Sequence, residues 1–403
     1  MLGYRTSDAI LLKYLKPLRK VKDEFELLWV KHVYRDRTLC QRQIGPYVSD
    51  YIAPFPDTRD VPSAILGLQQ RVCSAVPVGE NWLWPGFRIF QWCEMYDLNF
   101  MRMRGDNYLV DMTFKEYLDQ SSYTNAEKEK FIQALLRHYH LEPEDRDLAI
   151  ALADNLTIND VKTIIKYFIK RENYTGIAFF RGIFPRDELF RVWASKHIKS
   201  CENSAINTIP RINGGVSPFL KHFRADEKPH KIKELFDRVP GVIISTDYVS
   251  FEKHATPKVL NNTERLFYRF IRGHTPFYKQ YCDVLVGNQT INHKYFRARC
   301  LAGRMSGDPS TSIGNGYINW MVMRYICYLH NASCYGFVEG DDGIFKVAGY
   351  IPTAEDFKKL GFDIKIQICK DIGDSDFCGL IFDGEAMQNF YDPFKAISKF
   401  GFS

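Results

Sequence analysis

Two short apolar runs, Tyr335 to Glu339 and Ile344 to Val347, are separated only by Gly340-Asp341-Asp342-Gly343. Apolar strands joined by such a tetrapeptide fold as a β-hairpin, because Gly and Asp tolerate the backbone of a tight turn. The flanking pattern is equally ordered. Val242-Ile243-Ile244 is a buried-strand run that stops at Asp247. Thr256 offers an N-cap with Pro257 in first helical position, predicting a helix to about Arg272. A second long helix is expected after Ser310, through Asn315, Trp320 and Tyr325 to His330. Beyond the hairpin, Thr353 with Asp356 opens a helix that ends at Gly361, and Phe362, Ile364, Ile366 and Ile368 alternate as a half-buried strand. Strand, helix, helix, hairpin, helix, strand predicts an α+β chain on a ferredoxin-like (RRM-like) sheet with helices on one face. In that sheet the end of the first strand and the hairpin turn lie side by side. Asp247 and Asp341 should therefore converge, although about ninety residues separate them.

Residues 1 to about 60 read as a separate lead-in, helix-like from Asp8 to Val33 and then irregular through Pro54, Pro56 and Pro62. Thr124-Asn125-Ala126-Glu127 has the form of a capping box for a helix towards His138, and another helix is expected over Asp187 to Lys199. A chain of 403 residues suffices for two or three subdomains. Its net charge of +6 permits a local basic surface without demanding one. The ten cysteines show no zinc spacing and read as buried reduced thiols. No apolar run approaches the ~20 residues of a membrane span, and Met1 to Arg5 carries no signal or myristoylation pattern. A soluble chain is expected, held at a membrane only by a partner.

Alone, Gly340-Asp341-Asp342-Gly343 reads as a turn, and Asp247 as a strand-ending residue or a helix cap. Together they say more. Two acidic groups on adjacent strand ends repel unless a cation lies between them. Two Mg²⁺ ions held by carboxylate oxygens serve in-line nucleotidyl transfer, activating a 3′-hydroxyl and neutralising the transferring phosphate. Arg304 to Asn315 is a Gly/Ser loop running into a helix, with Thr311 and Asn315 on one face. An N-cap at Ser310 or Thr311 accounts for one hydroxyl. The rest of this polar cluster suits a ribose 2′-hydroxyl.

Asp247 to Glu252, Ser306-Gly307 to Thr311 with Asn315, and Gly340-Asp341-Asp342 stand in the order and spacing of motifs A, B and C of RNA-dependent RNA polymerases. Gly303-Arg304-Met305-Ser306-Gly307-Asp308 most resembles the tombusvirus/nodavirus-like enzymes of positive-strand RNA viruses. The resemblance implies a right-hand fold with mixed fingers over 61–240, a palm over 241–375 with a finger insertion at about 276–300, and motif E with the start of a thumb over 376–403. It implies two Mg²⁺ ions, with Mn²⁺ as a substitute, held by Asp247 and Asp341 with Asp342 as a secondary ligand. Glu252, Ser306, Gly307, Thr311 and Asn315 would select and position the nucleotide. Lys170, Arg171, Arg181 and Arg186 resemble the motif F strand that contacts triphosphate, which suits Arg and Lys chemistry. Lys365 corresponds to the motif D lysine that protonates pyrophosphate, and Phe377-Cys378-Gly379 to the turn that supports the primer. Read without the other motifs, the basic stretch is a solvated face and Lys365 a surface lysine.

The implied activity is template-directed RNA synthesis from NTPs, on an RNA template with a primer or nascent strand, replicating a viral genome. The expected place is the host cytoplasm, at membrane-associated complexes formed through other viral replication proteins. An inactive polymerase-like RNA-binding scaffold is the alternative of a different class. A reverse transcriptase shares the palm chemistry but places Tyr-x-Asp-Asp where this chain has Glu339-Gly340-Asp341-Asp342. Two departures stand out. Glu252 occupies a position where most relatives carry Asp, one methylene shorter. Only about twenty residues follow motif E, so a thumb largely missing here, truncated or carried on another segment, and a weak grip on primer–template are expected.

Overall fold

The computed structural model describes residues 18–31, 60–77, 79, 111–170, 172, 179–273, 275–375, 377–383, 387–391 and 393. Its described strands are β1 (Glu26–Val30), β2 (Ile165–Lys166), β3 (Phe168–Ile169), β4 (Gly182–Ile183), β5 (Val242–Tyr248), β6 (Asn288–His293), β7 (Phe296–Leu301), β8 (Ser333–Glu339), β9 (Asp342–Ala348), β10 (Ile364–Cys369), β11 (Leu380–Asp383) and β12 (Gln388–Tyr391). Mixed helix and sheet is thus the observed class.

The hairpin is where the sequence put it. β8 and β9 pair antiparallel from Ser333↔Ala348 to Glu339↔Asp342. They belong to a four-stranded sheet of order β10-β5-β9-β8, in which β5 runs antiparallel to both of its neighbours. Numbered within the unit, this is order 4-1-3-2, the arrangement a ferredoxin-like split βαβ requires. Helix Thr311–Leu329 crosses one face of the sheet, packing Tyr317, Ile318 and Met321 with Ile244, Val338, Phe345 and Val347. Helices on one face alone were expected, and the structure corrects this. Helix Glu227–Arg238 covers the other face, its Ile232, Leu235 and Phe236 packed with Phe337 and Ile344. Both faces are apolar because Phe337-Val338 and Ile344-Phe345 are consecutive, not alternating, hydrophobic pairs.

Several local signals hold. Thr124 caps helix Asn125–Tyr139 and Thr353 caps helix Ala354–Lys359, each through a complete capping box. Asp187 caps a helix that runs past Lys199 to Thr208. Three expectations need revision. The helix expected from Thr256 to Arg272 is two, Pro257–Asn262 and Glu264–Arg272, broken at Thr263, whose hydroxyl donates to the Val259 carbonyl at 2.7 Å. Pro62 starts a helix, Val61–Arg71, capped by Asp60, instead of lying in an irregular stretch. Within the stretch Asp8 to Val33, residues Glu26–Val30 form a strand, because pairing with β7 overrides local helix preference. Asp8, Pro54 and Pro56 lie outside the described residues.

A second sheet, order β1-β7-β6-β2, contains the hairpin of the segment 276–300. It encloses a separate core with helix Val61–Arg71. β3 pairs with β4 in a small ribbon beside it.

Candidate functional site

β5 pairs with β9 as far as Thr246↔Gly343, so Asp247 follows directly beside the hairpin turn. The turn rests on two glycines with different tasks. Gly340 has φ +65° and open space around it, so it supplies conformation. Gly343 supplies closeness: a Cβ there would lie 2.6 Å from Thr246 Oγ1. Asn319, fully buried on helix Thr311–Leu329, donates its Nδ2 to the Asp341 carbonyl at 2.9 Å. The turn is therefore tied to strand and helix alike.

The electrostatics show which side chains face one another. Burial and then the Glu252 charge push the Asp341 carboxyl above the ordinary aspartate range, and Asp247 adds to this. A backbone hydrogen bond and the Arg181 guanidinium pull the other way. Three carboxylates and one arginine from three separated segments thus converge, as expected for Asp247 and Asp341. Lys365 stands opposite Asp247 across the β10–β5 ladder, Nζ to Oδ2 3.6 Å, with both side chains mostly in solvent. Such a pair is weak. The second turn acid also has neighbours on the other side of the hairpin. Asp342 is paired with Glu339, which bonds Lys228 at 2.5 Å. Burial, then the charges of Glu339 and Asp342, raise the Cys378 thiol. Cys378 sits at φ 58° in the turn Phe377-Cys378-Gly379, which leads into β11.

Among the described residues no three His, Cys, Asp or Glu side chains already form a metal cage. The donor chemistry nevertheless fits a hard divalent cation: oxygen ligands only, of like charge, with the part-buried one raised by partial burial and by its neighbours. Mg²⁺ needs just one or two protein carboxylates when phosphates and water complete its shell.

The loop 302–310 turns its charges inward. Arg304 forms a buried ion pair with Glu264, and its Nη1 lies 3.2 Å from Ser310 Oγ. Tyr268 donates to Glu264, and Tyr281 to Ser310 Oγ at 2.9 Å. Asp308 is ion-paired with Arg186. Gly307 packs against the 184–185 backbone, where a Cβ would come within 2.6 Å of the Phe184 carbonyl. Ser306 stays exposed, its hydroxyl donating to the Gly182 carbonyl at 3.3 Å. The Thr311 hydroxyl lies 2.9 Å from the carbonyls of both Met305 and Asp308, so it closes the loop. Asn315 is buried with its Oδ1 unpartnered. Glu252 lies under this loop, its carbonyl accepting from Arg304 N at 2.9 Å and its carboxylate 3.9 Å from Arg71.

The basic segment divides in two. Lys170 and Arg181 meet across the β3–β4 ribbon, half exposed, and share Glu172 at 2.9 and 3.5 Å. Arg186 is a correction. It is 1% exposed, and its guanidinium is committed to Asp308, to the Thr163 carbonyl at 2.8 Å and to Gln289 at 2.9 Å, leaving nothing for a nucleotide. Arg171 lies outside the described residues. Sequence reasoning missed Asn319, although it stands one helical turn beyond Asn315 on the same face. It also missed the inward roles of Arg304 and Asp308, for which the sequence offers no local signal.

A family model described as viral RNA dependent RNA polymerase matches residues 146–399. The RNA-directed RNA polymerase of Carnation mottle virus is 23% identical over 260 residues, which cover 60% of this chain and 32% of that protein. The chain therefore spans about a third of the length of the curated relative it matches.

Proposed function

Since this chain belongs to the viral RNA-dependent RNA polymerase family, we propose that it joins ribonucleotides to an RNA 3′-hydroxyl on an RNA template, replicating the genome of a positive-strand virus. The observation that carries this is the Asp341 carboxyl, part-buried among like charges near Asp247 and Glu252 and balanced only in part by Arg181. Asp247 and Asp341 would hold Mg²⁺, or Mn²⁺ in its place. The metals, when bound, activate the attacking hydroxyl and neutralise the transferring phosphate.

The chain's own residues orient the reactants. Lys170 and Arg181, at the mouth of the β3–β4 ribbon, meet the triphosphate as a point charge and a planar fork. Ser306 and Asn315 offer a hydroxyl and an unpaired amide oxygen to the ribose, with Gly307 and Thr311 shaping the loop that presents them. Lys365, level with Asp247, would give a proton to departing pyrophosphate. Phe377, Cys378 and Gly379 support the primer strand. In this reading β10-β5-β9-β8 is the palm sheet, residues 61–240 with the 276–300 insertion are fingers, and 376–403 would begin a thumb. Partner proteins would bring the chain to membranes of the host cytoplasm; among the described residues no helix is long and apolar enough to cross one.

The direct test is extension of a primed RNA template with ribonucleotides and Mg²⁺, which requires both Asp247 and Asp341. Extension at more than about a tenth of the unaltered rate by chains lacking either carboxylate defeats the metal-ligand assignment. Two further results are expected. Glu252→Ala raises deoxynucleotide incorporation relative to ribonucleotide, because a carboxylate near the ribose is lost; an unchanged ratio in competitive primer extension counts against it. Asn319→Ala frees the Asp341 carbonyl and lets the turn drift, slowing single-nucleotide addition by about 10²-fold, the cost of misplacing a ligand by about 1 Å. Stopped-flow extension at saturating NTP checks this, and a wild-type rate refutes the positioning role.

A further inference from the structure

Among the described residues the sheet β1-β7-β6-β2 has one face in the core and one face open. Its register sets Lys166 beside Asn292, Asn292 beside Arg297, and Arg297 beside Trp29, a single row across four strands. Their strand neighbours Ile165, Ile291 and Ala298 are fully buried, so strand alternation assigns Lys166, Asn292 and Arg297 to the open face; Trp29, set beside Arg297 after a bulge in β1, is itself exposed. The row also continues along the chain. Ile165, Tyr167 and Ile169 are buried, while Lys166, Phe168 and Lys170 face outward. A stripe thus runs from Lys170, at the proposed triphosphate site, over Phe168 and Lys166 and across the sheet to Trp29. Phe168 is 47% exposed and Trp29 43%.

Single exposed aromatics are ordinary on any surface. Alternation of rings and cations in a continuous row that starts at the nucleotide site is not explained that way. Among the described residues the stripe's lysines carry two salt links, neither fully buried, and Lys170 pairs with Glu172 at 2.9 Å. Lys166 pairs with Glu188 at 3.1 Å in solvent, a contact that a phosphate can replace. Arg297 Nε donates to Asn292 Oδ1 at 2.7 Å, which holds the guanidinium against the sheet with its remaining donors free of that bond. With strands about 4.8 Å apart, the row from Lys166 to Trp29 is about 14 Å long, room for a few nucleotides.

We propose that this stripe is a track for single-stranded RNA, with bases stacked on Phe168 and Trp29 and phosphates at Lys166 and Arg297. The inference rests on the polymerase reading above and extends it to where the strand lies outside the site. Stacking on rings tolerates any base, as a polymerase copying a whole genome requires. The charge on the row is positive, which favours RNA over an apolar protein partner.

Fluorescence anisotropy of the full chain with a labelled single-stranded RNA of about a dozen nucleotides tests it. Trp29→Ala and Phe168→Ala should each raise Kd about tenfold, and Trp29→Phe should restore most of the first loss. Arg297→Ala should flatten the slope of log K against log salt by about one. RNA binding that is indifferent to both alanine changes overturns the track alone and leaves the polymerase reading intact. A Trp29→Ala loss that Trp29→Phe does not restore overturns stacking. Absence of RNA binding by the unaltered chain overturns both readings.

Discussion

Asp341→Asn should lower nucleotide addition on a primed RNA template by at least about 10³-fold, the loss of about 4 kcal/mol of transition-state stabilisation that a missing metal ligand entails. The substitution is isosteric, so shape is kept and charge alone is removed. Its effect on the fold has the opposite sign. Burial, Glu252 and Asp247 raise the Asp341 carboxyl, so the folded protein disfavours its ionised form relative to the unfolded chain. A raised acid destabilises the fold progressively as pH climbs past its unfolded pKa, and fully once pH exceeds the folded one. Asparagine removes that penalty, so the melting temperature should stay level or rise while activity disappears. This opposition is what a functional carboxylate predicts and a structural one does not. Asp342→Asn should cost less, about tenfold, because its charge falls with Glu339 on the Cys378 side of the hairpin. Primer extension with each variant decides. If Asp341→Asn keeps more than about a tenth of the rate, the ligand role fails. If both forms bind RNA and neither extends it, the inactive scaffold becomes the better reading.

What the sequence made legible was what short-range chemistry controls. Thr124 and Thr353 announce their helices because a hydroxyl and an acid three residues later satisfy each other's backbone donors. The hairpin is legible because Gly340 takes a conformation that few other residues accept. Asp247 beside Asp341 followed from sheet order, itself read from the sequence of elements. Partners far apart in the chain were not legible. Arg186 and Asp308 lie 122 residues apart, and Arg304 and Glu264 lie 40 apart. A basic residue in a basic run, or in a glycine-rich loop, reads as solvated because nothing nearby reveals its counter-charge. β1 was hidden for the same reason: its partner is the strand Phe296–Leu301. The second covered face of the central sheet was legible and missed, since Phe337-Val338 and Ile344-Phe345 break the alternation that a one-sided sheet requires.

Arg304→Ala should destabilise the protein by about 3–5 kcal/mol, among the largest effects any single change outside the carboxylates can have here. Arg304 and Glu264 are each 1% exposed, so removing the guanidinium leaves a carboxylate buried without its counter-ion. Burial works against the charge on Arg304, but Glu264 outweighs it and holds the guanidinium pKa above its ordinary value. Gly314 makes the pair possible: a Cβ at that position would lie 2.7 Å from Glu264 Oε1 and 2.8 Å from Arg304 Nη2. Replacing both ions with apolar residues, as Arg304→Met with Glu264→Leu, should recover only part of the loss. The Tyr268 hydroxyl that donates to Glu264 would be stranded, at about 1–3 kcal/mol, until Tyr268→Phe is added. The triple variant should therefore be more stable than the double, a sign that packing alone does not predict. Urea unfolding of the three variants measures the series, and an Arg304→Ala loss below about 1 kcal/mol refutes the clamp. The functional consequence follows from geometry. Arg304 holds Ser310, where helix Thr311–Leu329 begins, and that helix carries Asn315 and the Asn319 that ties down Asp341. Loosening the clamp should thus slow nucleotide addition in the surviving folded molecules, through the same turn that Asn319→Ala frees.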